Sequence, residues 1–215
     1  MIGLILAAAG AGSRFGSTVP KQFLPLEGVP VYRRSLEAFQ PWVSHAVVVV
    51  PAEWKERVSC ETQHLWQGRI YVEVGGDRRQ DSVRCGLLSL PPVEIVLVHD
   101  AARPFVTPAL IKRVVDESRR SGACIPAVPV NQTVKEVAGS TILRTLDRSR
   151  LVLAQTPQGF RREILLQAFA RAEEDGFYGT DESILVERIG IPVSVVEGEP
   201  GNIKITFRHD VPGQL

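Results

Sequence analysis

Residues 4–28 read LILAAAGAGSRFGSTVPKQFLPLEG, an apolar run that breaks into small residues and glycines. Small residues behind a buried strand let backbone N–H groups come close to an anion, so the stretch predicts a strand followed by an anion-holding loop. Gly10, Gly12 and Gly16 are spaced G-x-G-x-x-x-G, and PKQFLPLEG delays the next helix, which departs from the dinucleotide fingerprint. No Gly-Lys-Ser/Thr follows the glycines, so a P-loop is disfavoured too. What the loop does carry is positive charge. Arg14 offers a planar fork and Lys21 a compact ammonium, a pair suited to a triphosphate undergoing phosphoryl or nucleotidyl transfer. Pro20 restricts the backbone just before Lys21. The competing reading, two solvated surface cations, is the ordinary one for isolated charges.

Working outward, short β-branched runs alternate with amphipathic segments. IGLILAA, AVVVVP, RIYVEV and EIVLVHD predict buried strands; PVYRRSLEAFQ, AEWKERVSCETQHLW and VRCGLLSL predict helices. TPALIKRVVDESRRSG has a threonine cap, an early proline and a terminal glycine. The alternation predicts an α/β fold, one Rossmann-like domain over residues 1–215 with a mostly parallel sheet. Ligands in such sheets sit beyond the carboxyl ends of the strands, where AAAGAGSRFG, GGDRRQ and HDAARPF all fall. After Ala123 the long helices stop. Short strand-like pieces around the turn AGS, at Gly139 and Ser140, predict a β-arm at about 131–156 that packs on a partner subunit. The helix RREILLQAFARAEEDG follows, and regular structure continues through TDESILVERIG, PVSVVEG and NIKITF.

Composition narrows the function. With 44% apolar and 23% charged residues, intrinsic disorder is excluded as a class. A net charge of +1 gives no global reason for a nucleic-acid or membrane partner, so phosphate binding must come from local clusters. Cys60, Cys85 and Cys124 lie far apart, without the spacing of a zinc site or disulfide framework. The first apolar run is broken by glycines and has no basic lead, which predicts neither a signal peptide nor a transmembrane helix, and a cytoplasmic protein.

LAAAGAGSRFG with PKQFLPLEGVPV resembles the opening of the sugar-phosphate nucleotidyltransferases. GGDRRQDSV, VHDAARPF, TLDRSRLVLAQTPQGF, TDE and NIKIT, in that order from Ile2 to Thr206, resemble the methylerythritol phosphate cytidylyltransferase family of the non-mevalonate isoprenoid pathway. The resemblance implies a glycosyltransferase-A-like nucleotidyltransferase fold. It implies CTP and methylerythritol phosphate as substrates, Mg²⁺ bound mainly through the CTP phosphates with no protein metal site, and direct in-line attack without a covalent intermediate. By the same resemblance Arg14 and Lys21 stabilise the transition state. Ala7, Ala8, Gly10, Gly76, Asp77, Ser82 and Ala101 lie at the nucleotide. Asp100, Arg103, Thr133, Arg148, Thr180 and Lys204 belong to the sugar-phosphate side, and Arg148 and Lys204 hold the attacking phosphate. In the family Thr133, Arg148 and Thr180 come from the neighbouring subunit, which makes the homodimer a requirement.

Bland readings accompany several of these. GGDRRQDS is also an ordinary helix-capping turn, Asp100 and Arg103 an ordinary ion pair, and His99 a packed residue rather than a base. Gln132 stands where the family more often has an acidic residue, and RHDVPGQL is a poor closing helix. Three rivals stay open: a cytidylyltransferase for ribitol or ribulose 5-phosphate, a nucleotide-binding regulator without turnover, and an NAD-dependent oxidoreductase. TLDRSRL and the LAAAG style favour the isoprenoid family over the first.

Overall fold

Strand β1 (Ile2–Ala7) runs through the middle of the central sheet, its first five residues buried. The fold is a computed structural model that describes residues 1–10, 15–16 and 19–211. In chain order β1 is followed by β2 (Pro25–Leu26), β3 (Val29–Pro30), α1 (Val31–Glu37), β4 (His45–Val50), α2 (Lys55–Thr62), β5 (Ile70–Val74) and α3 (Arg79–Ser89). Next come β6 (Ile95–Asp100), α4 (Pro108–Ser121), β7 (Ala123–Pro129), β8 (Val134–Ala138), β9 (Thr141–Leu146) and β10 (Val152–Ala154). β11 (Gln158–Arg161), α5 (Arg162–Glu174), α6 (Ser183–Arg188) and β12 (Ser194–Glu197) complete the set.

The sheet order is β10-β7-β11-β6-β1-β4-β5, with β12 also on β7. β1, β4, β5 and β6 form a parallel half, β12 is parallel to β7, and β10 and β11 run antiparallel to their neighbours. This is the expected α/β class. Side chains alternate between two faces, as a pleated strand requires. Leu4, Leu6, Val48 and Leu97 pack under Leu36, Leu110, Ile111 and Val114 on one side. Ile5, Val47, Val49, Val96 and Val98 pack against Val83, Leu87, Leu165 and Phe169 on the other. Burial on both faces explains why these strands read as unbroken apolar runs.

The parallel half fixes where the loops emerge. Ala7 is in register with Asp100 on β6 and Val49 on β4, and Val50 with Val74 on β5. The segments after β1, β5 and β6 therefore leave the sheet along one edge. On the far side, Thr107 caps α4 by accepting from the Leu110 N–H, and Gly122 ends it at φ 91°.

Three expectations need correction. Helix α3 starts at Arg79, so Arg79 to Ser82 stand on its first turn rather than in a preceding loop; the Asp81 carboxylate accepts the Arg78 N–H and stabilises that start. NIKITF does not continue the regular structure. Ile203, Ile205 and Phe207 alternate as in a strand, but the segment crosses the end of β6 without pairing, tied by the Ile205 N–H to the Ala102 carbonyl. The arm is shorter than 131–156. The hairpin is β8–β9 alone, a separate two-stranded sheet, and β10 belongs to the central sheet.

A candidate nucleotide and phosphate site

Three sheet-edge segments enclose a cavity of about 340 Å³. Ala7, Ala9 and Gly10 line it from the β1 loop, Gly76, Asp77, Arg79 and Ser82 from the start of α3, and Asp100 from the end of β6. Lys21 and Lys204 complete its cationic wall. The lining thus draws on sequence blocks spread from position 7 to position 204.

The wall of small residues has a steric reason. A Cβ on Gly75 would fall 2.4 Å from the Ala9 Cβ and 2.6 Å from the Ser82 Oγ. A Cβ on Gly76 would lie 2.6 Å from the Asp81 Cβ. Gly75 lets the β5 turn press against the β1 loop and Gly76 lets it close on Asp81 of α3, so GGD is both a helix-starting turn and one side of the cavity.

Gln22 orders the β1 loop from behind. Its buried side-chain amide donates to the carbonyls of Ala8, at 2.7 Å, and Gly10, at 2.8 Å. A trans peptide points its carbonyl and its N–H in opposite directions, so holding the Ala8 carbonyl turns the Ala9 N–H the other way. Lys21, the adjacent residue, lies in a short 3₁₀ turn and is itself buried. Phe23, one position beyond Gln22, stacks on Trp54 with centroids 3.9 Å apart, which anchors the turn to the protein body.

Asp100 is the electrostatic centre. Lys204 Nζ lies 2.6 Å from its Oδ2 and donates to it, and Arg79 Nε donates to its Oδ1 at 3.2 Å. Arg103 Nε is 3.9 Å away. Burial opposes ionisation of Asp100, but Arg79, Lys204 and Arg103 outweigh it and hold the carboxyl far below the usual carboxylate range. Arg79 is bidentate on Glu182 at 2.7 and 2.9 Å. Burial pushes the Glu182 carboxyl up, against the pull of Arg79.

Other sequence-predicted residues take up supporting or peripheral positions. Ala8 and Ala101 are buried one residue from the lining; the Ala101 N–H bonds the Ala7 carbonyl, and its own carbonyl accepts from Ser35 at 2.8 Å. Arg103 turns away from the cavity and donates to the Asn202 carbonyl at 2.7 Å. It thus braces the segment that presents Lys204. His99 is fully buried, with Nε2 3.0 Å from the Arg103 carbonyl and Nδ1 3.0 Å from Thr156 Oγ1. Burial drives its pKa down to about 4, so it is a neutral packed residue, as its lone position suggested. Thr133, Arg148 and Thr180 are exposed and do not line the cavity of this chain; Arg148 donates to the Asn131 carbonyl at 2.6 Å. Arg14 lies outside the described residues.

Gln22, Arg79 and Glu182 were missed by sequence reasoning. Gln22 sits inside the quoted PKQ block, and Arg79 inside GGDRRQDS. Their roles depend on partners 12 to 103 positions away.

A glycine-lined cavity at the carboxyl ends of parallel strands, with two ammonium groups and a clamped acid, defines an α/β nucleotidyltransferase. The chain belongs to the IspD family: the family model, 2-C-methyl-D-erythritol 4-phosphate cytidylyltransferase, matches residues 2–212. It is 48% identical over 222 residues to the 2-C-methyl-D-erythritol 4-phosphate cytidylyltransferase of Acidobacterium capsulatum, covering 97% of this chain and 93% of that one. Among solved structures it is similar to that enzyme from Francisella tularensis, with TM-score 0.84, 33% identity and coverage of 98% and 96%. It is also similar to the one from Thermus thermophilus, with TM-score 0.81, 34% identity and coverage of 97% and 94%.

Proposed function

We propose that this protein transfers a cytidylyl group from CTP to 2-C-methyl-D-erythritol 4-phosphate, giving 4-diphosphocytidyl-2-C-methyl-D-erythritol and pyrophosphate. The observation that carries the reading is the meeting of Lys21 and Lys204, from opposite ends of the chain, on one cavity beside Asp100. Family membership over residues 2–212 supports the choice of substrates.

In the proposed reaction an oxygen of the acceptor's phosphate forms a bond to the α-phosphorus of CTP. The bond from that phosphorus to the bridging oxygen breaks, and its electrons leave with pyrophosphate. The nucleophile is already an anion near neutral pH, so no protein base is required. The protein's task is to hold two anions together and to stabilise added charge. Lys21, with Arg14, serves the α-phosphate; Lys204 serves the attacking phosphate. Gly76, Asp77 and Ser82 face the nucleobase, whose N4 amino group distinguishes cytosine from uracil.

Among the described residues no group of three or more His, Cys, Asp or Glu could form a metal cage. The donors in the cavity fit Mg²⁺ only as an ion carried on the triphosphate, because both oxygens of Asp100 are engaged by Lys204 and Arg79. When bound there it neutralises phosphate charge.

We further assign Thr133, Arg148 and Thr180 to the site of a second copy. Val137, Ile142 and Leu143 on the hairpin and Leu153 on β10 are each more than half exposed in the single chain. A two-stranded hairpin of this kind has little stability alone, and a partner surface supplies what it lacks. Among the described residues no helix is long and apolar enough to cross a membrane, and we assign the reaction to the cytoplasm.

Pyrophosphate release measured with CTP, Mg²⁺ and a panel of acceptors tests the reading. Turnover with methylerythritol phosphate is expected; turnover with ribitol or ribulose 5-phosphate instead, or none at all, overturns it.

A further inference from the structure

Arg79, which the family resemblance did not single out, joins two carboxylates of the site. Its guanidinium reaches Asp100 through Nε and both oxygens of Glu182 through Nη1. Glu182 is 1% exposed, and Arg79 is the cation that faces it. Around this bridge the start of α3 grips the 177–182 segment at three further points. Gln80 donates to the Phe177 carbonyl at 3.0 Å and accepts the Gly179 N–H at 2.8 Å. The Arg78 guanidinium lies 3.4 Å from the centroid of the Tyr178 ring. From the other side Gln158 accepts the Glu182 N–H at 3.2 Å and donates to Asp181 at 2.7 Å.

We propose that Arg79 and Glu182 form a positioning couple that holds Asp100 and the Thr180 segment in fixed relation to the nucleotide cavity. The proposal rests on the reading under Proposed function for the identity of the substrates. The geometry itself is independent of that reading. Glu182 fixes one end of the guanidinium, so the planar fork presents Nε to Asp100 along one direction only. Asp100 so held offers its second oxygen to Lys204. A change at Arg79 therefore reaches Lys204, on this chain's acceptor side, and Thr180, assigned to the second copy's site, although the bonds of Arg79 run to Asp100 and Glu182. A lysine at position 79 keeps the charge but cannot bridge two carboxylates with fixed orientation.

Arg79→Lys, Arg79→Met and Glu182→Gln test the couple in the full-length protein, with folding checked by circular dichroism. Arg79→Lys is expected to lower kcat/KM for methylerythritol phosphate by roughly 10²-fold, the cost of a small misplacement, while the Kd for CTP, titrated directly, changes by less than about threefold. Glu182→Gln keeps the shape and part of the bonding, and its loss is expected to be smaller. A second readout needs no turnover: carboxyl ¹³C NMR of Asp100 across pH. In the parent Asp100 stays ionised to below the ordinary carboxylate range, and in Arg79→Met its titration moves upward. Equal losses for CTP and acceptor, or an Asp100 titration unmoved in a folded Arg79→Met, overturn the proposal. Should the parent itself fail to use methylerythritol phosphate, the substrate assignment falls and the Asp100 titration alone decides the couple.

Discussion

Lys204 Nζ lies 2.6 Å from Asp100 Oδ2, joining residues 104 positions apart across the mouth of the cavity. The ammonium is partly exposed and the carboxylate buried, so the pair has one face in the protein and one toward ligand. Lys204→Met is expected to lower kcat/KM for the acceptor by about 10²–10³. Lys204→Arg should recover part of that loss. Steady-state kinetics with the acceptor varied at saturating CTP make the measurement, and an unchanged kcat/KM would remove Lys204 from the reaction.

Lys21 is expected to act on the transition state more than on CTP in its ground state. Lys21→Ala should lower kcat by roughly 10²–10³ with a much smaller change in the Kd for CTP. A loss confined to Kd would make Lys21 a binding residue only.

Gln22→Leu fills similar volume and withdraws both donors from the Ala8 and Gly10 carbonyls. Each carbonyl left without a partner costs about 1–3 kcal/mol where water does not replace the bond. The urea midpoint should fall, and CTP affinity, followed by calorimetric titration, should weaken by about tenfold or more as the loop loses its orientation. A stable variant with parental CTP affinity would show that the loop is ordered without Gln22.

The buried His99 makes stability fall with acidity in a defined window. In the unfolded chain it takes up a proton near 6.5, whereas the folded protein holds it neutral down to about 4. The unfolded state therefore binds more protons between these values, and stability declines from pH 6.5 to pH 4, by on the order of 3 kcal/mol. Asp100 acts lower. Its folded pKa is depressed, so its contribution is present above the ordinary carboxylate value and is lost as pH falls below it. Urea unfolding at pH 7, 5.5 and 4.5 should show the His99 slope, and His99→Gln, which retains hydrogen-bonding atoms, should flatten it. A slope unchanged by that substitution assigns the acid sensitivity elsewhere.

If Arg148 serves a neighbouring site, then Arg148→Ala and Lys21→Ala impair different chains of the same active centre. Mixing the two weak variants under conditions of subunit exchange should restore activity, since a mixed dimer holds one intact site. No recovery, with exchange confirmed by native mass spectrometry, would place Arg148 in its own chain's reaction or outside the reaction altogether.

The uneven legibility of this chain has physical causes. β1, β4 and β6 were readable because two-sided burial demands continuous apolar runs, and α4 because Thr107 and Gly122 mark its ends locally. The convergence of the glycine loop, GGD and HDAARPF followed from one rule about parallel sheets, and register puts Ala7 opposite Asp100. Pairings such as Arg79 with Glu182, 103 positions apart, left no local trace. NIKITF misled because Ile203, Ile205 and Phe207 alternate as a strand would, whereas Ile205 is buried and Ile203 and Phe207 are exposed. The arm's boundary slipped because β10, though short and exposed, takes its pairing from β7 rather than from the hairpin.

The central claim is that the acceptor's phosphate attacks the α-phosphorus of CTP in a single displacement. Turnover of CTP made chiral at that phosphorus by sulfur substitution tests it most directly, with the configuration of the cytidylyl product determined by ³¹P NMR. The account predicts inversion. Retention would mean two displacements through a covalent intermediate, and would contradict it.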